Sequence, residues 1–316
     1  WSRGTTRCPS RGGAPPAWAR WGGGGPPEES ARRIGEYART LPAGAWITGG
    51  DWDHTLWGGQ LPQRSWIDAV APDHPVWIAR LDGHMALANT AAMRAAGVGD
   101  DVADVPGGEI VRNAAGRPTG VFKDNAMGLI ARAVPDPTMP QKLAAITAAC
   151  DYLAERGVTM VHHMGEFADV AALRLAQSRG LLTVRVYACT PLDQWRQLAD
   201  EIADQGRGND LLRIGGLKGF VDGSLGSHTA AMLEPFADDP SSRGLLVCRR
   251  DDLYRWAKEA DRAGVQGLVH AIGGRAVRLQ LDVFEQVARE NGPRDRRLPL
   301  PPAPPPHPPA PPPVAP

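Results

Sequence analysis

In the second half of the chain, apolar residues at helical spacing alternate with short apolar runs of strand length. Thr138 and Gln141 have capping-box spacing. Leu143, Ile146, Cys150 and Leu153 then recur on one helical face, and Gly157 stops the helix. A strand is predicted at 158–161, ending at His162 and His163. A helix over 169–178, closed by Gly180, leads to a strand at 182–187, and a helix over 192–204 follows. Residues 215–221 read as a buried strand that carries Lys218. Asp251 opens a helix through Leu253, Trp256 and Ala260 to Gly264. Residues 268–270 form a short strand, and Val277, Leu281, Phe284 and Ala288 mark one face of a last helix that ends near Asn291 and Gly292.

The first half is less regular. The pattern predicts a short amphipathic helix at 31–41, strands at 46–53 and 75–80, and a helix at 89–96 stopped by Gly97. Gly107, Gly108, Gly116 and Pro118 punctuate a stretch of small hairpins. Strand–helix alternation in the second half requires parallel strands joined by helical crossovers. A doubly wound sheet and a (β/α)8 barrel both satisfy it. No GxGxxG opens any of the helices, which disfavours a dinucleotide site.

Lys218 is the odd member of its apolar run, because a charged ammonium is costly to bury unless it is paired or chemically changed. A loop of Gly, Ser and Thr follows at once, as expected where backbone approaches a ligand. A lysine snorkelling from a strand end is the bland alternative. His162, His163, Lys218, Asp222 and His270 all fall at or near predicted strand ends, where an α/β barrel keeps its chemistry. His162 and His163 are adjacent, so on a strand only one of them faces the interior. Asp82, Gly83 and His84 fit plain turn chemistry.

Lys plus Arg and Asp plus Glu number 35 each, so no net charge draws the chain to nucleic acid or an anionic membrane. No apolar run reaches the length of a membrane span, and the first residues show no apolar leader core. Cys8, Cys150, Cys189 and Cys248 form no CxxC pair, so scattered thiols in a reducing cytoplasm are expected. Residues 1–30, rich in Gly, Pro, Ala and Arg, and residues 298–316, mostly Pro, are expected to be disordered tails. Both ends also fit a fragment, or ends read in a shifted frame.

Six segments, taken in order, resemble the metal-dependent amidohydrolases, in the family 3 branch that includes the N-substituted formamide deformylases. They are 46–53, 80–84, Gly120-Val121, 157–161, 218–230 and 269–276. The resemblance implies a (β/α)8 TIM-type barrel, here incomplete, with the first and last strands and the β-sandwich domain missing or disordered. The partial barrel is expected over 31–297, with an inserted β-rich segment around 46–135. The resemblance makes Lys218 a carbamate-bearing metal ligand and His270 a second ligand. The cofactor it implies is a divalent metal, zinc by preference, one or two ions in the full-length protein. It also implies a substrate-loop role for His84, beside Asp82. Asp222 and His163 are candidates for supporting the site.

The chain departs from the family pattern. None of its eight histidines are two apart, so the His-x-His pair of the first strand is absent. Proline follows Arg294-Asp295-Arg296-Arg297 closely, where the family continues into a strand bearing Glu-His-Ala. The strand-six histidine and strand-eight aspartate are absent as well. Gly274 stands where the family has aspartate, and His228 where arginine is common. The expected activity is metal-assisted hydrolysis of a non-peptide carbon–nitrogen bond in a small amide, silent in this chain because ligands are missing. A homodimer is allowed. The alternatives are a Schiff-base lyase or aldolase using Lys218, and a non-catalytic relative whose proline tail binds a partner.

Overall fold

A computed structural model describes residues 27–296. Residues 1–26 of the expected N-terminal tail, and the whole expected proline tail, lie outside the described residues. Residues 27–30, expected in the first tail, instead open helix α1 (Pro27–Ala38). Proline suits a first helical turn, where its missing N–H costs nothing, and Glu28 and Glu29 favour the positive end of the helix dipole.

Two sheets follow. The first is built from β1 (Ile47–Trp52), β2 (Val76–Arg80), β3 (Met85–Ala88), β4 (Gly108–Arg112) and β5 (Pro118–Asp124), in the order β1-β2-β3-β5-β4. Only β1 and β2 run parallel; the other pairs are antiparallel. The short helices α2 (Arg64–Asp68) and α3 (Thr90–Ala95) sit in its connections, and α4 (Gly128–Ala131) follows its last strand. Successive residues serve opposite faces. Val76, Ile78, Met85, Leu87 and Val121 join one core with Ile34 of α1. Trp77, Ala86, Ala88 and Phe122 join another with Met93 and Ile130. Both faces are covered, which is why these strands read as unbroken apolar runs.

The second sheet comes from the regular half. Its elements are α5 (Met139–Ala154), β6 (Met160–Met164), α6 (Phe167–Ser178), β7 (Arg185–Pro191), α7 (Trp195–Gln205), β8 (Leu212–Phe220), α8 (Arg250–Arg262), β9 (Gln266–His270) and α9 (Gly274–Asn291). The four strands are all parallel in the order β6-β7-β8-β9, a half-barrel among the described residues. The capping box of α5 forms as its spacing predicts. Two strands start later than their apolar runs. β7 begins at Arg185, although Leu182 and Val184 are already in the core. An apolar run marks burial, and ladder pairing sets in only where Arg185 meets Thr159. For the same reason β6 begins at Met160, two residues into its apolar run, and it ends at Met164, one residue past His163.

One face of the half-barrel is packed by helices. Val186, Ala188, Leu212, Ile214, Leu217 and Val269 share a core with Leu173, Leu198, Leu253 and Val283. On β8 the alternation breaks at Gly215, where the pairing with β7 slips by one residue. Ile214 and Leu217 therefore both face the helices. Strict alternation would have sent Lys218 into that core; the bulge turns it, with Gly216 and Phe220, to the open face.

Candidate active site

Lys218 sits near the carboxyl end of β8. Its Nζ donates to the Gly219 carbonyl at 3.1 Å and lies 3.6 Å from the centroid of the Phe220 ring. Burial pulls its pKa down to about 7, against a small opposing pull from Cys189. The Cys189 thiol, buried on the neighbouring strand, is pushed up to about 12, so it stays protonated. Lys218 is thus an amine with a large neutral fraction near neutral pH.

His270 ends β9 in register with Phe220, so it stands on the same face as Lys218. Its Nε2 donates to the Gly223 carbonyl at 2.9 Å. Burial, with the neighbouring Lys218 and His84 charges, lowers its pKa to about 4 against that hydrogen bond. For both groups the unfolded chain binds more protons, Lys218 between about pH 7 and 10.5 and His270 between about pH 4 and 6.5. Stability therefore rises with pH through each window. Lys218→Met is expected to raise stability by roughly 2–4 kcal/mol at pH 7. Urea melts from pH 6 to 10 check this: the parent should gain stability with pH, and the variant should lose the part of that gain above pH 7.

Asp222, which follows β8, is fully buried. Its Oδ2 accepts from the backbone N–H of Ala231 at 2.7 Å and Gly273 at 2.8 Å, and its Oδ1 from Ile272 at 2.9 Å. Burial raises its pKa against those three bonds. It ties the loop after β8 to the start of α9 and does not reach into the open face through these bonds. Gly273 passes so close that a Cβ there would lie 2.0 Å from the Ala231 carbonyl oxygen.

The first sheet delivers Asp82 and His84 to the same place from the β2–β3 turn. Asp82 Oδ2 accepts from Arg80 at 2.7 Å, Ser224 at 2.5 Å and Ser227 at 2.8 Å. Burial pushes this carboxyl up, yet the Ser224 hydroxyl and the Arg80 guanidinium outweigh it and hold it below the usual range. The His84 ring lies 5.0 Å from the His270 ring and 5.8 Å from that of Phe220, centroid to centroid. Its Nδ1 is 2.7 Å from Asp124 Oδ1.

Lys218, His270, Asp82, His84 and Asp222 are thus gathered around the carboxyl ends of β8 and β9. His163 is not among them. It points to the helix side of β6, 3.3 Å from Asp169 at the start of α6, and Lys142 of α5 holds the other oxygen of that carboxylate at 2.7 Å. Its neighbour His162 takes the Lys218 face, with its ring 5.3 Å from Tyr187. Sequence reasoning passed over Asp124 and Arg80. Asp124 carries no local signal, because β3–β5 pairing is what brings it to His84.

As a metal centre these residues fit in kind but not in number. A neutral lysine able to take up carbon dioxide and an imidazole suit a divalent cation. Among the described residues, however, no three His, Cys, Asp or Glu side chains are grouped to hold one. A catalytic zinc needs three protein ligands.

The same stretch of sequence is shared with known proteins. The pattern of the Amidohydrolase family matches residues 10–303. Protein LONG AFTER FAR-RED 3 of Arabidopsis thaliana is 36% identical over 284 residues, 85% of this chain and 48% of that protein. The N-substituted formamide deformylase of Arthrobacter pascens is 26% identical, over 84% of this chain and 51% of its own length. A crystal structure of an uncharacterized metal-dependent hydrolase from Pyrococcus horikoshii OT3 overlays with a TM-score of 0.56 at 27% identity, covering 81% of this chain and 50% of that one. The chain spans about half the length of the curated relatives it matches. A match this long in sequence, joined to a parallel half-barrel of the same build, makes the chain a member of the amidohydrolase family, in its family 3 branch.

Proposed function

We propose that the protein is a metal-dependent hydrolase of carbon–nitrogen bonds in small amides. In this reading the chain contributes Lys218, carried as a carbamate, and His270 to a barrel that is closed in the whole enzyme. The observation that carries it is a lysine amine lowered to about pH 7 beside a histidine on the same face of the adjoining strand. Carbon dioxide adds to a neutral amine: the Nζ lone pair forms the new carbon–nitrogen bond, and one amine proton leaves to solvent. The product is a hard carboxylate where a snorkelling lysine would offer none. A divalent metal, when bound, supplies Lewis-acid activation of water and of the amide carbonyl. No step of that chemistry is assigned to two donors alone, and the chain by itself is expected to turn over no amide. The family relatives named above support the hydrolase class.

Carbon-13 NMR of the chain in labelled bicarbonate tests the reading. A carbamate resonance is expected that Lys218→Ala removes, together with weak, substoichiometric zinc uptake. No carbamate, with borohydride trapping of a carbonyl substrate on Lys218, would replace the hydrolase by a Schiff-base enzyme. Stoichiometric zinc with amide turnover would overturn the expectation that the chain is silent.

A further inference from the structure

We propose that Asp124 and His84 form a substrate-orienting pair, in which Asp124 fixes the His84 ring so that its Nε2 lone pair accepts the N–H of a secondary amide. The inference rests on the amide reading above and names two residues from the first sheet that serve it.

A carboxylate only accepts, so the 2.7 Å contact puts the hydrogen of a neutral His84 ring on Nδ1 and leaves Nε2 as an acceptor. Among the described residues His84 Nε2 has no hydrogen-bond partner. The ring packs against both the His270 and Phe220 rings, which also touch each other, and the Phe220 ring carries Lys218. His84 thus brings the first sheet against the Lys218 face of the second, beside the Asp82 contacts to the β8 loop.

Asp124 meets two costs. Its backbone has φ 45° and ψ −123°, a conformation that side-chain-bearing residues avoid. Its Oδ2 is buried without a hydrogen-bond partner, in a side chain only 3% exposed. The side chain's one bond is to His84. A strained, half-satisfied carboxylate is kept where it orients something. The β8 loop is shaped to allow it: a Cβ on Gly223 would lie 2.6 Å from Asp124 Oδ2.

The chemistry selects a ligand class. A tertiary amide has no N–H to offer Nε2; a secondary amide has one. Because Asp124 acts through His84, it is a positioning residue, and its signature is the tautomer of the ring.

The test uses the full chain labelled with 15N-histidine at pH 9, where an imidazole is neutral. Long-range proton–nitrogen spectra should show His84 protonated on Nδ1, and Asp124→Ala should shift it to Nε2. An Nε2-protonated ring in the parent overturns the proposal without any variant. Binding of N-benzylformamide and of N-benzyl-N-methylformamide is then followed in the same spectra. The secondary amide should bind about tenfold tighter. His84→Phe, which keeps an aromatic ring against His270 and Phe220, should erase that preference. Equal binding of the two amides to the parent overturns the pair's role and leaves the amide reading standing. Binding of neither overturns the pair's role, and the carbamate spectra above decide the amide reading separately.

Discussion

Asp222→Ala is expected to destabilise the protein by about 3–5 kcal/mol, a fall in melting temperature of roughly 10 °C. The carboxylate is the common acceptor for three backbone N–H groups, two from the start of α9 and one from Ala231. Removing it leaves all three without that acceptor at a junction that excludes water, where Ala230, Ala231 and Ala271 are 0% exposed. Asp222→Asn sharpens the argument. An amide offers one acceptor oxygen and one NH2 group. With the oxygen set toward Ala231 and Gly273, the NH2 faces the Ile272 N–H, donor against donor. Asn is therefore expected to recover less than half of the loss despite its matching shape. Thermal melts of both variants check this, and an Asn variant as stable as the parent would show that the site needs volume and not charge. Proton exchange should rise first at Ala231, Ile272 and Gly273, since these amides lose their partner directly.

Much of the second half of the fold is legible because local rules and tertiary packing agree there. Thr138 and Gln141 announce α5, and Gly157, Gly180 and Gly264 close elements at the expected places. The positions of Lys218 and His270 were legible for the same reason: each is a polar residue at the end of an apolar run. The face that Lys218 takes was not. It depends on the bulge at Gly215, and a glycine pair within a strand does not announce which residue will be left unpaired. The choice between His162 and His163 depended on the register of β6, which begins two residues later than its apolar run. The Asp124–His84 contact was out of reach altogether. Forty residues separate the two, and only the pairing of β3 with β5 brings them together. Local patterns find what one strand presents; they do not find what two sheets present to each other.

Arg80→Met is expected to cost about 3–5 kcal/mol and to loosen the first sheet from the half-barrel. The Arg80 side chain is 6% exposed and sits between two carboxylates, with Asp53 Oδ1 and Asp82 Oδ2 each at 2.7 Å. Asp82 in turn receives both Ser224 and Ser227 of the loop after β8, so the guanidinium anchors a bridge from one sheet to the other. The Gly226 backbone rests against it: a Cβ there would lie 2.5 Å from one of its nitrogens. Methionine fills the space but leaves two half-buried carboxylates without their shared cation. Arg80→Lys is expected to recover only part of the loss, since an ammonium lacks the planar fork that meets both carboxylates at once. The pH dependence separates charge from packing. Burial tends to raise both acids, but their hydrogen bonds and Arg80 outweigh it and hold them below the usual carboxylate value. The stabilisation they give is then complete above about pH 4 and is lost as pH falls through the lowered folded values. The gap between parent and Arg80→Met should therefore narrow on acidification, as the orphaned carboxylates take up protons. A gap that stays constant from pH 7 to pH 3 would mean that Arg80 matters here for its volume, with the two sheets held together by packing alone.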